Sequence, residues 1–293
     1  MNTTIFSNNS DLQAMHTLIN RLPNGTSLVD FEELIQLALV RTATRLWWHE
    51  NSLIGLAYID DCNNLWFEID PMNVSPQLED EIIAWGITCM QRRNTLVGRS
   101  DTLDACRQAS NVLHINILEN HGFSRCGFHT IRYSRSLKTP IPKQPPPAGF
   151  SLRHVKDEEE VKALVALHQA AFKTDNMTIE RRLAIMRTQD YDPSLDLLVV
   201  APNGDLAAFC VCGLEENSDG QTGSTDPVGT HPRYQQLGLG KAIITAGLQA
   251  LKTKGVKNVT LGTSSENIAM QRLAESLRFT IEAEKIWFTK NVS

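Results

Sequence analysis

The chain has 293 residues, of which 42% are hydrophobic and 21% charged, a composition that excludes a disordered or fibrous protein. At ~150 residues per domain, this length predicts two domains. The formal net charge of −5 lacks the basic excess of proteins that bind phosphate backbones, so we expect no nucleic-acid partner.

The distribution of apolar residues argues against a membrane protein. No uninterrupted apolar run reaches the ~18 residues of a membrane helix, and the segment from Met1 to Asp11 is polar. We therefore expect a cytoplasmic protein with no membrane partner. The cysteines show no C-x-x-C spacing and the histidines no ligand spacing, so we expect no metal.

The first half of the chain has patterning that predicts helices and strands in alternation. In chain order the predicted elements are helices 11–21 and 30–40, strands 44–49, 52–59 and 64–70, helix 77–93, strand 95–98, helix 109–121 and strand 123–135. Five prolines then follow between Thr139 and Gly149, which favours an extended polyproline spacer. We therefore place a first domain at 1–137, a linker at 138–149 and a second domain at 150–293.

The second half repeats the order of the first. Its predicted elements are helices 157–173 and 178–189, strands 195–201, 206–214 and 222–230, helix 241–254, strand 257–262, helix 267–277 and strand 279–289. Both halves have helices, then a β-meander, then strand, helix, strand, helix and strand. This order predicts a mixed α/β fold of two tandem domains, each a mostly antiparallel sheet flanked by helices.

The two halves also match in sequence when one is shifted by 156 residues. The matches are Asp70-Pro71 with Asp226-Pro227, Pro76 with Pro232, Asn111 with Asn267, Glu119 with Glu275 and Phe123 with Phe279. Several matches at one offset, in segments with the same predicted structure, predict two copies of one fold.

The segment with the clearest chemistry lies between predicted strand 222–230 and predicted helix 241–254. From Val228 onward it reads VGTHPRYQQLGLGKA. Gly238 and Gly240 lead into the helix, where glycines let backbone N–H groups approach a ligand and the helix dipole favours a phosphate. Lys241 is a candidate cation at the rim. The segment therefore predicts a loop that binds a pyrophosphate.

This loop resembles the acyl-CoA signature of the GNAT superfamily of acetyl-CoA-dependent N-acetyltransferases, Gln/Arg-x-x-Gly-x-Gly/Ala, which Gln235, Gly238 and Gly240 meet. The segment from Asn267 to Phe279 resembles the family's next helix, and residues 286–288 resemble its last strand. The resemblance implies two GNAT-like domains with acetyl-CoA as cosubstrate. It also implies a small-molecule or peptide amine as acceptor, and a monomer or homodimer.

The resemblance further implies which residues bind the cosubstrate, because the family's pantetheine arm lies along the strand before the loop like an added strand. The implied set is Val228, Gly229, Thr230, Gln235, Gln236, Leu237, Gly238, Leu239, Gly240, Lys241 and Asn267. For Asn267, a role as a helix N-cap is equally open.

The first half lacks this loop. At the 156-residue offset, the positions of Gln235, Gly238 and Gly240 carry Glu79, Ile82 and Ala84. Carboxylates at a helix start would repel a pyrophosphate, although they also stabilise the helix itself. We therefore expect the N-terminal copy to be degenerate and not to bind CoA at this site.

Catalysis of amine acetylation requires a base, and Asp226 is the candidate because it precedes Val228 by two residues on the same strand. Ordinary Asp-Pro turn chemistry is the alternative role for Asp226. The family's helix usually carries a tyrosine that protonates the departing thiolate, and this sequence has Ala274 there. The acid is then Tyr234, Ser265 or solvent.

Three functions follow from these residues. The first is an N-acetyltransferase that acts by direct attack of a primary amine in a ternary complex. The second is a non-catalytic acyl-CoA sensor or scaffold, which Ala274 permits. The third is acetylation of a cysteinyl amine, because tandem GNAT architecture also resembles mycothiol synthase.

Overall fold

Two groups of apolar strands and amphipathic helices organise the chain in the computed structural model, which describes residues 1–22, 29–188, 191–215 and 222–292. A first unit consists of Met1–His129 with Glu284–Ser293, and a second unit consists of Thr130–Ala283. Each unit has mostly antiparallel strands flanked by helices, which confirms the predicted fold class. In the described ranges, none of the helices is long and apolar enough to cross a membrane.

The first unit places helices on a sheet in which β1, β2, β3 and β4 pair antiparallel in that order. Its core contains apolar residues of β3, β4 and α4. Its elements are β1 (Asn2–Ile5), α1 (Asn9–Ile19), α2 (Val29–Leu34), α3 (Ala38–Thr42), β2 (Thr44–His49), β3 (Ser52–Ile59), β4 (Leu65–Ile69), a 3-10 helix (Pro71–Asn73), α4 (Pro76–Val97), β5 (Leu103–Gln108), α5 (Val112–Asn120) and the start of β6 (Ser124–Ser136).

The second unit pairs its strands in the order β7, β8, β9, β10, β11 and β6, and only β10 with β11 is parallel among these described pairs. Helix α8 buries its apolar face on this sheet. The elements are β7 (Ser151–His154), 3-10 helix Glu158–Glu160, α6 (Val161–Phe172), α7 (Ile179–Met186), 3-10 helix Pro193–Leu195, β8 (Asp196–Val200), β9 (Leu206–Glu215), β10 (Thr222–Thr230), 3-10 helix Pro232–Tyr234, α8 (Leu239–Thr253), β11 (Asn258–Ser264), α9 (Ile268–Ser276) and the start of β12 (Thr280–Lys290).

The bounds of the two units differ from the predicted domains 1–137 and 150–293. Residues 130–136 of β6 pair with β11 of the second unit, and residues 285–290 of β12 pair with β5 of the first. Residues 138–149 contain no helix or strand, as expected of a proline-rich stretch, yet they lie within the second unit. Hydrogen bonds from Arg135 to the carbonyls of Thr139 and Pro140 hold them there.

Most predicted elements are present, with one error of type. The predicted strand 95–98 is wrong, because α4 continues to Val97 and the strand follows at 103–108. Gly98 ends the helix in a left-handed conformation with φ 65°, a common glycine helix end. The short strands β1 and β7 were not predicted, since neither has a clear apolar alternation.

The register between the two halves also changes along the chain. Around α4 and α8 the buried residues correspond at an offset of 161, as Leu78 with Leu239, Ile82 with Ile243, Ile83 with Ile244 and Gly86 with Gly247. Beyond these helices the offset is 156, because α4 continues for 19 residues after Leu78 and α8 for 14 residues after Leu239. The predicted matches of Asp70-Pro71 with Asp226-Pro227 and of Pro76 with Pro232 are therefore wrong. Asp70 corresponds to His231, and each caps a 3-10 helix.

Candidate active site

The second unit contains a gap between two neighbouring strands. Strands β10 and β11 pair in parallel from Thr222–Asn258 to Ser224–Thr260, where the described pairing stops. Farther along, the described residues of β10 pair with β9 and those of β11 pair with β6, and no pairing joins the facing edges of β10 and β11 there. We call the space between residues 225–230 of β10 and 261–264 of β11 the strand gap. A strand edge that faces such a gap can pair its backbone with an extended ligand.

The predicted strand residues Val228, Gly229 and Thr230 border the strand gap. On their other side they pair with Cys210, Phe209 and Ala208 of β9, which fixes their backbone in the sheet. Gly229 is required here by close packing, because a Cβ atom would lie 2.5 Å from Cε1 of Phe209.

A β-bulge lies in β10 directly before these residues. The pairing with β9 shifts register between Thr225 and Val228, and the extra residue in the stretch Asp226-Pro227 makes the bulge. Asp226 is exposed, whereas Thr225 is fully buried. The structure thus presents the carboxylate of the predicted base at the start of the strand gap.

The glycine loop, residues 231–241, follows at the end of β10. Gln236 and Gly238 both have left-handed backbone conformations, with φ 63° and 79°. Gly238 precedes the first turn of α8 and has no side chain to cap it. The first backbone bond of the helix runs from Ala242 N–H to Gly238 O, so the N–H groups of residues 239–241 precede the helical ladder. Unbonded N–H groups at a helix start are an anion site.

The two loop glycines have different surroundings. A Cβ atom on Gly240 would lie 3.1 Å from Cδ2 of Leu273, so α8 and α9 approach closely there. A Cβ atom on Gly238 would meet nothing within 4 Å. Gly240 therefore serves packing as well as loop access, whereas the space at Gly238 is open to a ligand.

The other predicted binding residues surround this helix start. The side chain of Gln235 donates to the carbonyl of Thr230 at 3.4 Å, and the Gln236, Leu237 and Gly238 positions are exposed. Leu239 is buried in the core and Lys241 is half-buried.

Asn267 lies at the start of α9. Its Oδ1 accepts from the N–H of Met270 at 3.1 Å, and the residue is exposed. The N-cap role is therefore present, and it engages the oxygen rather than the nitrogen of the side-chain amide.

Tyr234, the candidate acid, is hydrogen-bonded to the turn between β8 and β9. Its hydroxyl donates to Oδ2 of Asp205 at 2.9 Å, in the turn between β8 and β9, and its ring packs edge-on against Phe150. This hydrogen bond is the main cause that lowers the pKa of Asp205. The geometry favours an anchoring role for Tyr234 over the predicted role as acid.

We therefore expect Tyr234→Phe to retain the kcat of acetyl transfer within about threefold, because removal of a true general acid costs about 100-fold or more. Steady-state rates of CoA release by the unaltered chain and the variant measure this. A 100-fold fall in kcat at unchanged KM would restore the predicted acid.

The position of the family's usual tyrosine is closed to solvent. Ala274 is fully buried in the core beside Leu277. Its methyl group cannot supply a proton, so this helix position contributes packing instead.

The first unit has a corresponding gap that its own side chains fill. In the described ranges, β4 and β5 share one isolated parallel bridge, between Asn64 and Asp104. Arg107 lies beyond it, 3% exposed, and its guanidinium donates to the carbonyl of Phe67 at 3.1 Å and of Cys106 at 2.7 Å. Phe67 corresponds to Val228, so Arg107 occupies the backbone edge that corresponds to the strand gap of the second unit.

Other side chains of the first unit pack around the Arg107 guanidinium. The guanidinium stacks on the ring of Phe67 at 4.4 Å, and the buried Glu68 lies 3.9 Å from Nε2 of His114. Burial lowers the pKa of Arg107, and the Glu68 carboxylate opposes that shift. These groups form a buried cluster at the position that corresponds to the strand gap of the second unit.

The helix start in the first unit also differs from the glycine loop. Helix α4 begins at Pro76, and Ser75 caps it by accepting from the N–H of Leu78. In the structural register, Glu79 stands where the second unit has Gly240. The positions predicted from the uniform offset, Ile82 and Ala84, lie one turn farther along.

The pKa of His114 is lowered to about 3. Burial is the larger cause, and the positive charge of the nearby Arg107 is the smaller one. The folded pKa is below the unfolded value near 6.5, so the unfolded chain binds more protons between these values. Stability should therefore fall as pH drops below 6.5, by up to about 1.4 kcal/mol per pH unit. We expect His114→Gln to reduce the fall in Tm between pH 7 and pH 5 in thermal unfolding, and an unchanged fall would contradict this.

Comparison with known protein families identifies most of the second unit. Residues 154–279 match the acetyltransferase (GNAT) family. Residues 154–279 therefore form a GNAT-family domain. They contain the strand gap, the glycine loop and most of the second unit, so the predicted resemblance is confirmed for this part of the chain.

Curated relatives match about half of the chain. A mycothiol acetyltransferase of Thermobispora bispora is 32% identical over 155 residues, which covers 51% of this chain and 52% of that protein. A mycothiol acetyltransferase of Arthrobacter sp. is 32% identical over 158 residues, covering 52% and 49%. The matched part of this chain thus spans about half the length of these relatives.

Solved structures extend the likeness in fold to the whole chain. A tandem GNAT protein from the clavulanic acid biosynthesis pathway has a TM-score of 0.73 at 14% identity, covering 99% of this chain and 98% of that one. A GCN5-related N-acetyltransferase from Sphaerobacter thermophilus has a TM-score of 0.66 at 19% identity, covering 85% and 81%. The whole chain therefore has the tandem GNAT fold, although the family match lies in one half.

Proposed function

We propose that this chain is an acetyl-CoA-dependent N-acetyltransferase in which the GNAT-family domain binds the cosubstrate. The observation that carries the proposal is the meeting of the strand gap and the uncapped start of α8 at one end of β10. The first feature suits an extended amide-bearing arm and the second suits a pyrophosphate. An amide-bearing arm and a pyrophosphate are both parts of CoA, so the residues at the strand gap and the helix start fit this cosubstrate.

The binding residues follow from that fit. Val228, Gly229 and Thr230 would pair with the arm, and the backbone from Gly238 to Lys241 would hold the phosphates. Bound acetyl-CoA supplies an activated thioester, so the chain's own residues need only place the acceptor and handle protons.

Asp226 is the proposed base. The carboxylate is exposed on the bulge at the start of the strand gap, where it takes a proton from the acceptor's ammonium group directly or through a water. Water, or the hydroxyl of Ser265, then protonates the departing thiolate, since Ala274 is buried and the Tyr234 hydroxyl bonds Asp205.

The acceptor we propose to test first is a cysteinyl amine, because the relatives are named mycothiol acetyltransferases. S-methylcysteinamide is a suitable probe, since its blocked sulfur leaves the CoA thiol as the only new thiol. Thiol release and mass spectrometry of the acetylated product measure transfer by the full chain.

The outcomes separate the candidate functions. Turnover of S-methylcysteinamide supports the proposal, and turnover only of glucosamine, spermidine or a lysine peptide would keep the transferase and reject the cysteinyl acceptor. Tight acetyl-CoA binding with no turnover of any amine would favour the non-catalytic sensor, which the buried Ala274 supports.

A further inference from the structure

We propose that Gly262 is a positioning residue that holds the Asp226 carboxylate at the start of the strand gap. This inference rests on the proposed transferase function, in which Asp226 is the base. It concerns a glycine on β11 that the sequence patterns do not single out.

Asp226 and Gly262 occupy matched positions in the strand gap. The last parallel pair is Ser224–Thr260, and each of the two residues lies two positions beyond it on its own strand. The bulge in β10 reorients its strand at this point. The two residues therefore face each other where the strands first diverge.

The contact between them is close. A Cβ atom on Gly262 would lie 2.9 Å from Oδ2 of Asp226, a separation that real Cβ atoms essentially never show. The carboxylate therefore lies against the α-carbon of Gly262. Any larger residue on β11 would displace it.

The backbone of Gly262 does not itself require glycine. Its φ is not among the positive values found at Gly238 and other described glycines, so another L-amino acid could adopt the conformation. Glycine is also a poor strand former. Within 3 Å of the Gly262 Cβ position, the Asp226 carboxylate is the one described group that a side chain would have to displace.

Strand β6 completes the surface under the carboxylate. Arg132 pairs directly with Gly262 in the antiparallel register, so its side chain shares that face of the sheet. Its guanidinium donates to Glu282 at 2.9 Å, and the methyl of Thr130 lies 4.0 Å from the Gly262 Cβ position. The surface beside the carboxylate thus includes a cation and an anion that are paired with each other.

The first unit provides an internal comparison. At the 156-residue offset that holds for β5 and β11, Cys106 stands where the second unit has Gly262. Strands β3 and β4 pair without a register shift from Gly55–Ile69 to Ile59–Leu65, so β4 has no bulge to present a carboxylate. The glycine and the acid occur together in the unit that has the glycine loop, whereas the other unit has Cys106 in place of the glycine and no bulge to carry the acid.

The test compares Gly262→Ala, Asp226→Ala and the double variant in the full chain, with acetyl-CoA and S-methylcysteinamide. We expect Gly262→Ala to lower kcat by about 10- to 100-fold with the KM for acetyl-CoA within about twofold, because a displaced base loses alignment but CoA contacts remain. The double variant should be no slower than Asp226→Ala. Gly127→Ala, an exposed strand glycine with nothing within 4 Å of its Cβ position, is the matched control with unchanged kcat.

Thermal unfolding gives a second readout that does not depend on the acceptor. Gly262→Ala should lower the Tm of the unaltered chain but not that of Asp226→Ala, where the opposing carboxylate is gone. Unchanged kcat in Gly262→Ala, or losses that multiply in the double variant, would overturn the positioning role. A chain that turns over no amine overturns the proposed function instead, and equal Tm losses in both backgrounds would overturn the contact itself.

Discussion

Gly238→Asp should abolish acetyl-CoA binding, weakening it by about 100-fold or more, while Gly238→Asn costs less than about tenfold. Both side chains enter open space and tolerate a left-handed backbone, so they share the same conformational cost. Only the aspartate adds a negative charge at the proposed phosphate site. At ~4 Å and an effective dielectric of ~20, two such charges repel by about 4 kcal/mol. Calorimetric titration of the full chain measures the two affinities.

This pair of variants separates binding from folding. A carboxylate at a helix start stabilises the helix, so the Tm of Gly238→Asp should be no lower than that of Gly238→Asn, which carries the same backbone cost. Equal acetyl-CoA affinities for the two variants would show that the glycine loop is not the phosphate site. Gly240→Glu should also abolish binding, but Leu273 lies against that position, so its loss of affinity includes a packing change.

The same titration should give about one acetyl-CoA per chain. The second unit has the strand gap and an uncapped helix start, whereas in the first unit Arg107 fills the gap and Ser75 caps the helix. Two equivalent sites would contradict the degenerate state of the first unit.

Arg107→Met should destabilise the first unit by about 3–5 kcal/mol, because it removes a buried cation that interacts with the buried Glu68 carboxylate and leaves two carbonyls without this donor. Arg107→Lys should cost less, since it keeps the charge but loses the planar pair of donors. Tryptophan fluorescence during urea unfolding isolates this unit, because Trp47, Trp48, Trp66, Trp85 and Trp287 all belong to it.

Acetyl-CoA affinity provides the matching measurement for the second unit. Acetyl-CoA affinity should be unaffected by Arg107→Met under conditions where both units are folded, since the proposed binding residues lie in the other unit. A free energy of unfolding within about 0.5 kcal/mol of that of the unaltered chain would mean that Arg107 is not needed to fill the gap.

The sequence predicted the features that depend on local order. Gly238 and Gly240 before an amphipathic helix indicated the loop, and the alternation of helices and strands indicated the fold class, because turn chemistry and apolar periodicity act over short distances. The loop residues named from sequence border one helix start in the structure.

Features that depend on distant partners were not predicted. Arg107 and Gly262 are ordinary strand residues in sequence, and their roles appear only when Phe67 and Asp226 lie opposite them. The uniform 156-residue offset failed around Asp70 because α4 is longer than α8, which shifts the register without any local signal. One signal was present in the sequence, because the first half has Cys106 at the position where the second half has Gly262.

The exchange of strand segments between the two halves also constrains the order in which the chain can fold during synthesis. Strand β5 pairs with residues 285–290, which leave the ribosome only after residues 130–283 have been made. At 5–20 residues per second, that interval is roughly 10–30 s. Throughout it, the nascent first unit carries an open strand edge at Leu103–Gln108, and open edges pair readily with other chains. A lower growth temperature or co-expression of chaperones should therefore raise the yield of soluble protein more than substitutions of surface residues do.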